Sequence, residues 1–356
     1  MLDAIINAFA GSRWPVGIAI YLLVGLVVLR PSGSIGSRFM SALGWPLELT
    51  QRTAGAIGLP YLFLLPNMLV FALFTFAPMF INIGFSVTDG QSINFEQRVF
   101  SGSDNFQRLT FDIQPDTGGV NQEDDKFQQS VADTFTFVIF QVPVMILVAL
   151  ITALTLNRDI AGRGFWRSIF FYPVMLSPVV VGFLWTLILK RQGVLSLTLM
   201  DWGLIDEPIQ WLQDPAWTMF WSVFVYTWAH LGFYMLILLA GLQAIPKDLY
   251  EAASMDGTSD WRVLRKITLP LLMPTLLVVT VLSLVKAFQA FEELYAMNVR
   301  WQSLVAYIFE TSGLRGQPTA FGLGIAATAS MLVAGLLMLL SLLQMYLSRK
   351  KDAVSI

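Results

Sequence analysis

Residues 251–274 read EAASMDGTSDWRVLRKITLPLLMP, a charged, helix-forming stretch between two long apolar runs. Its neighbours avoid water, whereas this stretch is built to stay in it. The composition explains the neighbours. Of 356 residues, 56% are hydrophobic and only 13% are charged, against about 25% charged in a soluble domain. Runs free of Asp, Glu, Lys and Arg cover 14–29, 53–88, 134–157, 168–189, 215–246, 267–285 and 316–348. A helix needs about 20 apolar residues to cross the hydrocarbon core of a bilayer. Six of the runs reach or approach that length, and the first is marginal.

The expected fold is therefore an all-α polytopic membrane protein with about seven transmembrane helices. They fall at 14–30, 60–86, 134–157, 168–189, 217–241, 267–291 and 321–347. No small-residue cleavage pattern follows the first, which favours a retained helix over a signal peptide. Pro66, Pro78, Pro143, Pro173, Pro178 and Pro274 lie in or near these spans and predict kinks. Membranes tolerate such breaks where neighbouring helices or a cavity satisfy the freed carbonyls. Cysteine is absent, which removes disulfides, thiolate metal sites and Cys nucleophiles. A single histidine, His230, removes His-rich metal centres. No catalytic or metal-binding set is expected.

Lys and Arg in the loops set the orientation. The segments 30–59, 158–167, 242–266 and 348–356 hold thirteen bases against seven acids, a net of +6. The opposite side holds eight bases against seventeen acids, a net of −9, and Lys286 within a span closes the balance at −2. The basic side is expected to be cytoplasmic, with the N-terminus outside and the C-terminus inside. The long loop 89–133 then falls outside, rich in acids and turn residues. It reads as a solvated loop or as a docking surface for an external protein.

The opening stretch acquires a cytoplasmic address between the fifth and sixth spans. IPKDLYEAASMDG reads as a short helix with Pro246 at its first position and Gly257 just past its end. Thr258 or Ser259 can cap a second short helix through DWRVLRKI, with Pro270 beginning the next span. Ala252 and Ala253 leave room for a partner's backbone, and Glu251, Asp256, Arg262 and Arg265 offer polar anchors.

The stretch resembles the EAA motif of permease subunits of binding-protein-dependent ABC importers. It has Glu251-Ala252-Ala253, then Asp256 and Gly257, then Ile267-x-Leu269-Pro270. GLQAIPKDLYEAASMDG at 241–257 is similar to the maltose-type carbohydrate branch. PYLFLLPN at 60–67, DNFQRL at 104–109 and RGFWRSIFFYP at 163–173 also resemble carbohydrate permeases. Where many relatives carry a Gly-Gly-Pro loop, this chain has MNVRWQSL at 297–304.

The resemblance covers about 60–347 and implies the six-helix core of a type I ABC importer plus one extra N-terminal helix. Residues 1–59 would be that helix and a connector, 60–347 the transmembrane domain with its coupling segment 246–270, and 348–356 a tail. It implies import of a carbohydrate, an oligosaccharide or glycoside, across a prokaryotic cytoplasmic membrane by ATP-driven alternating access. Glu251, Ala252, Ala253, Asp256, Gly257, Ile267, Leu269 and Pro270 would couple to cytoplasmic ATPase subunits, which would bind the ATP and Mg. A second, different permease, an extracytoplasmic sugar-binding protein and membrane lipid complete the implied partners; no nucleic acid is among them. The chain itself carries no G-x-x-x-x-G-K-[ST] phosphate loop.

A candidate substrate path follows from periodicity. Ser222, Tyr226, His230 and Tyr234 recur every four residues, an arc of about 120° on the fifth span. Ser283, Lys286, Gln289 and Glu293 occupy a similar arc on the sixth. Hydroxyls, an amide and aromatic rings suit a sugar; the same groups also tie helices together by hydrogen bonds. Lys286, about 24 Å beyond Pro270 along the axis, reads as snorkelling or as paired with Glu293. Two rival classes fit seven spans, a membrane receptor and an integral membrane enzyme. The EAA segment speaks against the first, and the scarcity of convergent titratable groups against the second.

Overall fold

The computed structural model describes residues 64–90, 92–110, 122–313 and 322–352. The expected span at 14–30 and the domain 1–59 lie outside them. The chain divides into two units at Ile81; Leu64–Ile81 is the described part of the first, an apolar helix whose side chains are exposed.

In chain order the described elements begin with α1 (Leu64–Ser86) and a small hairpin, β1 (Thr88–Asp89) and β2 (Val99–Phe100). Next come α2 (Asp104–Thr110), α3 (Gln122–Asn157) and α4 (Arg163–Phe171). A 3-10 turn (Tyr172–Met175) leads to α5 (Pro178–Leu189), α6 (Val194–Asp201) and α7 (Pro215–Gln243). The chain continues through α8 (Asp248–Met255), α9 (Asp260–Phe288), α10 (Glu292–Met297), α11 (Leu304–Thr311) and α12 (Gly322–Asp352). Six helical stretches among the described residues are long and apolar enough to span a membrane, the third of them, Pro178–Asp201, running through α5 and α6. The six-helix part of the expected all-α architecture is present.

Three boundaries differ from expectation. The second long helix begins at Gln122 rather than near residue 134. Its charged N-terminal turns read as loop, yet Phe127, Ser130 and Thr134 continue the buried face that runs on through Phe137, Gln141, Met145 and Ala149. Spacings of three and four keep these residues on one side of the helix. The span expected at 168–189 is broken: α4 ends at Phe171, and Leu176 and Ser177 are extended (ψ 146° and 133°) before Pro178 starts α5. Pro178 biases Ser177 away from helix and opens the next one. Finally, no separate short helix precedes Pro270. Asp260 begins a helix that runs straight into the sixth span through a π turn at Leu264–Thr268. A second π turn, Ala72–Phe76, stands likewise two residues before Pro78. In both places the wider turn absorbs the ladder disruption that the proline brings, so the helix continues instead of ending.

The core of the second unit lies between α3, α7 and α9, where Phe137, Met145, Tyr226, Tyr234, Leu238, Leu272 and Val279 are buried together. Lipid tails are as apolar as these side chains, so close packing and interhelical hydrogen bonds hold such a bundle. The Gln141 amide donates to Thr227 Oγ1 at 3.2 Å, and the Trp301 indole N–H donates to Ser222 Oγ at 2.9 Å. Trp301 belongs to the divergent MNVRWQSL segment, which thereby fills core space rather than forming an open loop. Much of the expected outer loop 89–133 is structured too. Buried Arg98 donates to Thr88 Oγ1 (2.9 Å) and to the carbonyls of Thr88 (3.0 Å) and Ser92 (2.9 Å), pinning the hairpin.

Candidate functional site

Two places collect the residues singled out by sequence. The first is the turn between α7 and α9. Pro246 stands two residues before α8, whose N-cap is Lys247, so it does not open the helix as expected. The helix closes with a paired-bond cap: Thr258 N–H donates to the Ala253 carbonyl (3.0 Å) and Gly257 N–H to the Ser254 carbonyl (3.1 Å). Gly257 holds φ +64°, the left-handed conformation such a cap requires. Ser259 occupies the N-cap of the following helix, but through its carbonyl and not its side chain. Glu251, Ala252, Met255, Asp256 and Gly257 are exposed, whereas Ala253 is buried against the bundle. Ile267 and Leu269 are half-buried on the π-turn helix, and Pro270 is exposed.

This turn is fastened to the bundle. Tyr250 OH and Thr268 Oγ1 lie 3.3 Å apart, linking α8 to α9. Gln243, the last residue of α7, turns its side-chain oxygen to accept from Arg163 (3.1 Å) and Arg167 (3.0 Å) of α4. Sequence reading counted these arginines only as loop charge; their spacing of four on an amphipathic helix was the available signal. A cavity of about 490 Å³ lies behind the turn, walled by Leu154, Arg158, Leu242, Tyr250 and Trp261. The result is a firmly held helix end with a small, charged, outward face.

The second place is the polar stripe. Ser222, Tyr226, Tyr234 and Ser283 are buried inside the chain. Ser222 accepts from Trp301 and Tyr226 OH donates to the Lys286 carbonyl at 2.9 Å, so these two tie helices together, while Tyr234 and Ser283 are buried in the bundle. His230 is part exposed and Gln289 is exposed, and both reach a cavity of about 200 Å³ with Tyr226, Lys286, Glu292 and Glu293. Pro178, at the break in the fourth span, closes one side.

Glu293 is the unexpected group there. It is 4% exposed, and no hydrogen-bond donor reaches its Oε1. His230 Nδ1 is the ion-pair neighbour at 3.6 Å, in place of the expected Lys286, but it already bonds the Tyr226 carbonyl at 3.0 Å. Burial pushes the Glu293 carboxyl above the usual carboxylate range, and His230 draws it partly back. An acceptor without a donor costs on the order of 1–3 kcal/mol. Close packing holds it in place: a Cβ on Gly182 of α5 would lie 2.6 Å from the Glu293 carbonyl oxygen and from Ala296 Cβ.

A bundle of apolar spans, a cavity at a broken helix and a capped turn at one end are the architecture of a polytopic membrane protein, and the described residues hold no cluster of His, Cys, Asp or Glu fit for a metal ion. The chain belongs to the family of binding-protein-dependent transport system inner membrane components, whose pattern matches residues 124–352. It is 31% identical over 299 residues to the lactose transport system permease protein LacF of Rhizobium radiobacter, covering 82% of this chain and 94% of that one. It is 28% identical over 302 residues to the probable starch degradation products transport system permease protein AmyD of Thermoanaerobacterium thermosulfurigenes, with the same two coverages. In fold it is similar to a bacterial ABC transporter involved in the import of the acidic polysaccharide alginate. That match has a TM-score of 0.66 at 24% identity, over 82% of this chain and 95% of that one.

Proposed function

We propose that this chain is one permease subunit of an ABC importer that carries a carbohydrate, an oligosaccharide or glycoside, across the cytoplasmic membrane. The observation that carries the reading is the capped turn at Gly257, exposed between two membrane-spanning helices and tied to the second of them through Tyr250 and Thr268. A motor outside the membrane needs such a lever, rigid toward the bundle and open toward the partner. The relatives' sugars support the substrate class. The loop charges support a cytoplasmic turn, an external N-terminus and an internal C-terminus. ATP and Mg belong to separate ATPase subunits, a second and different permease fills the other ATPase cleft, and a sugar-binding protein delivers the cargo from outside. Closure of the ATPases swings the permease halves about a central site. His230 and Gln289 face the cargo, with Ser222, Tyr226, Tyr234 and Ser283 holding the wall behind them.

Mass measurement of the solubilised complex tests the assembly. The expected particle holds one copy of this chain, one different permease and two ATPases. A particle lacking any ATPase, or one with two copies of this chain, would contradict it.

A further inference from the structure

The cavity at the broken span carries more than a general fit to carbohydrate. Its inner wall is Glu293, 4% exposed, whose Oε1 accepts no hydrogen bond and has His230 Nδ1 at 3.6 Å as its nearest charged neighbour. The other charged groups that line it, Lys286 and Glu292, are exposed and opposite in sign. His230 spends its Nδ1 proton on the Tyr226 carbonyl, and Tyr226 spends its hydroxyl on the Lys286 carbonyl. The side of the cavity formed by α5 offers Pro178 and no charge. What the site lacks is a hydrogen-bond donor for a buried carboxyl oxygen.

We infer that this cavity selects neutral, hydroxyl-bearing sugars and excludes sugars that carry a carboxylate, with Glu293 as the specificity-determining residue. This rests on the carbohydrate reading above. A hydroxyl donates to Oε1 and completes the wall. A uronate brings a second carboxylate beside Glu293, whose own burial leaves little solvent to screen the repulsion. Buried polar groups built to pair with a substrate reject the analogue that leaves them unpaired. The distinction has an immediate contrast, because the transporter of similar fold imports an acidic polysaccharide.

The test is equilibrium binding to the assembled importer, without its binding protein, so that only the membrane site selects. The probes are radiolabelled neutral mono- to tetrasaccharides, lactose and maltose among them, against galacturonate and alginate trisaccharide. Neutral sugars should bind at least about tenfold more tightly than the acidic ones. Glu293→Gln, which keeps the shape and an acceptor oxygen, should narrow that gap to about twofold by strengthening the acidic ligands. A melting curve on the same variant checks that it is folded, and the wild-type comparison stands without it. Acidic sugars binding as well as neutral ones would overturn the inference and leave the carbohydrate reading intact. An unchanged gap in folded Glu293→Gln would remove Glu293 from the role. Binding of neither class would overturn the carbohydrate reading itself.

Discussion

The Tyr226 hydroxyl donates to the main-chain carbonyl of Lys286 at 2.9 Å, joining the middle of α7 to the last turn of α9. That carbonyl lies in the final turn of the helix and also accepts the Gln289 N–H at 3.1 Å, so the tyrosine takes its second lone pair. The ring stacks on His230 with centroids 4.3 Å apart and meets Phe137 edge-on at 5.5 Å. Tyr226 is thus a helix tie first and a cavity wall second. Tyr226→Phe keeps the stacking and removes one buried hydrogen bond, a loss of about 1 kcal/mol. The melting temperature of the complex should fall while apparent sugar affinity stays within about twofold. A large loss of affinity with unchanged stability would show instead that the hydroxyl serves the sugar.

Gly257 at φ +64° is the second lever. Open space surrounds its Cα, so a side chain meets no clash and pays only the backbone penalty, roughly 1–2 kcal/mol. Gly257→Leu should leave the bundle inserted and loosen the α8–α9 turn, lowering substrate-stimulated ATP hydrolysis. Gly257→Asn, which tolerates the left-handed region, should recover most of it. Equal loss in both variants would mean that the glycine is needed for contact rather than for conformation.

Gly182 is the reverse case, limited by space. Its missing Cβ is what lets α5 and α10 approach. Gly182→Val should cost about 1–3 kcal/mol through overpacking, displace the Glu293 backbone and impair transport. A protein as stable and active as wild type would mean that α10 can shift without consequence.

Glu293 also predicts a pH dependence of stability. Folding raises its pKa, so the folded state binds the proton more tightly than the unfolded chain. Its burial penalty is therefore felt above the raised pKa and relieved as pH falls toward the ordinary carboxylate range. His230 and Tyr226 on α7, Lys286 on α9 and neighbouring Glu292 surround it, and α5 adds no titratable group. Relative to Glu293→Gln, the wild-type melting temperature should rise as pH is lowered from 8 toward about 5. Parallel curves for the two proteins would contradict the burial argument.

The six described spans and the capped turn at Gly257 were legible from the sequence because each depends on local signals. Hydropathy counts residues along one helix, and the EAA spacing fits within twenty. The broken fourth span was not legible, since Pro173 and Pro178 in an apolar run mark a kink and a complete break alike. The outer turns of α3 carry Asp133 and Lys126, so charge hid a buried face whose period was present all along. The pairing of His230 with Glu293 and of Ser222 with Trp301 joins residues 63 and 79 positions apart, and no periodicity reports such contacts. Stripe residues on one arc therefore separated into buried ties and cavity-facing groups only once the neighbouring helices were in place.

The central claim is that the exposed face of α8 seats in an ATPase subunit. Because the chain contains no cysteine, Ala252→Cys carries a unique thiol on that face. A short thiol-reactive photocrosslinker on Ala252→Cys, activated in native membranes, should give one adduct larger by the mass of a single ATPase subunit. The same reagent on buried Ala253→Cys should give far less of it. An Ala252→Cys adduct only to lipid, to this chain or to an external protein would contradict the account.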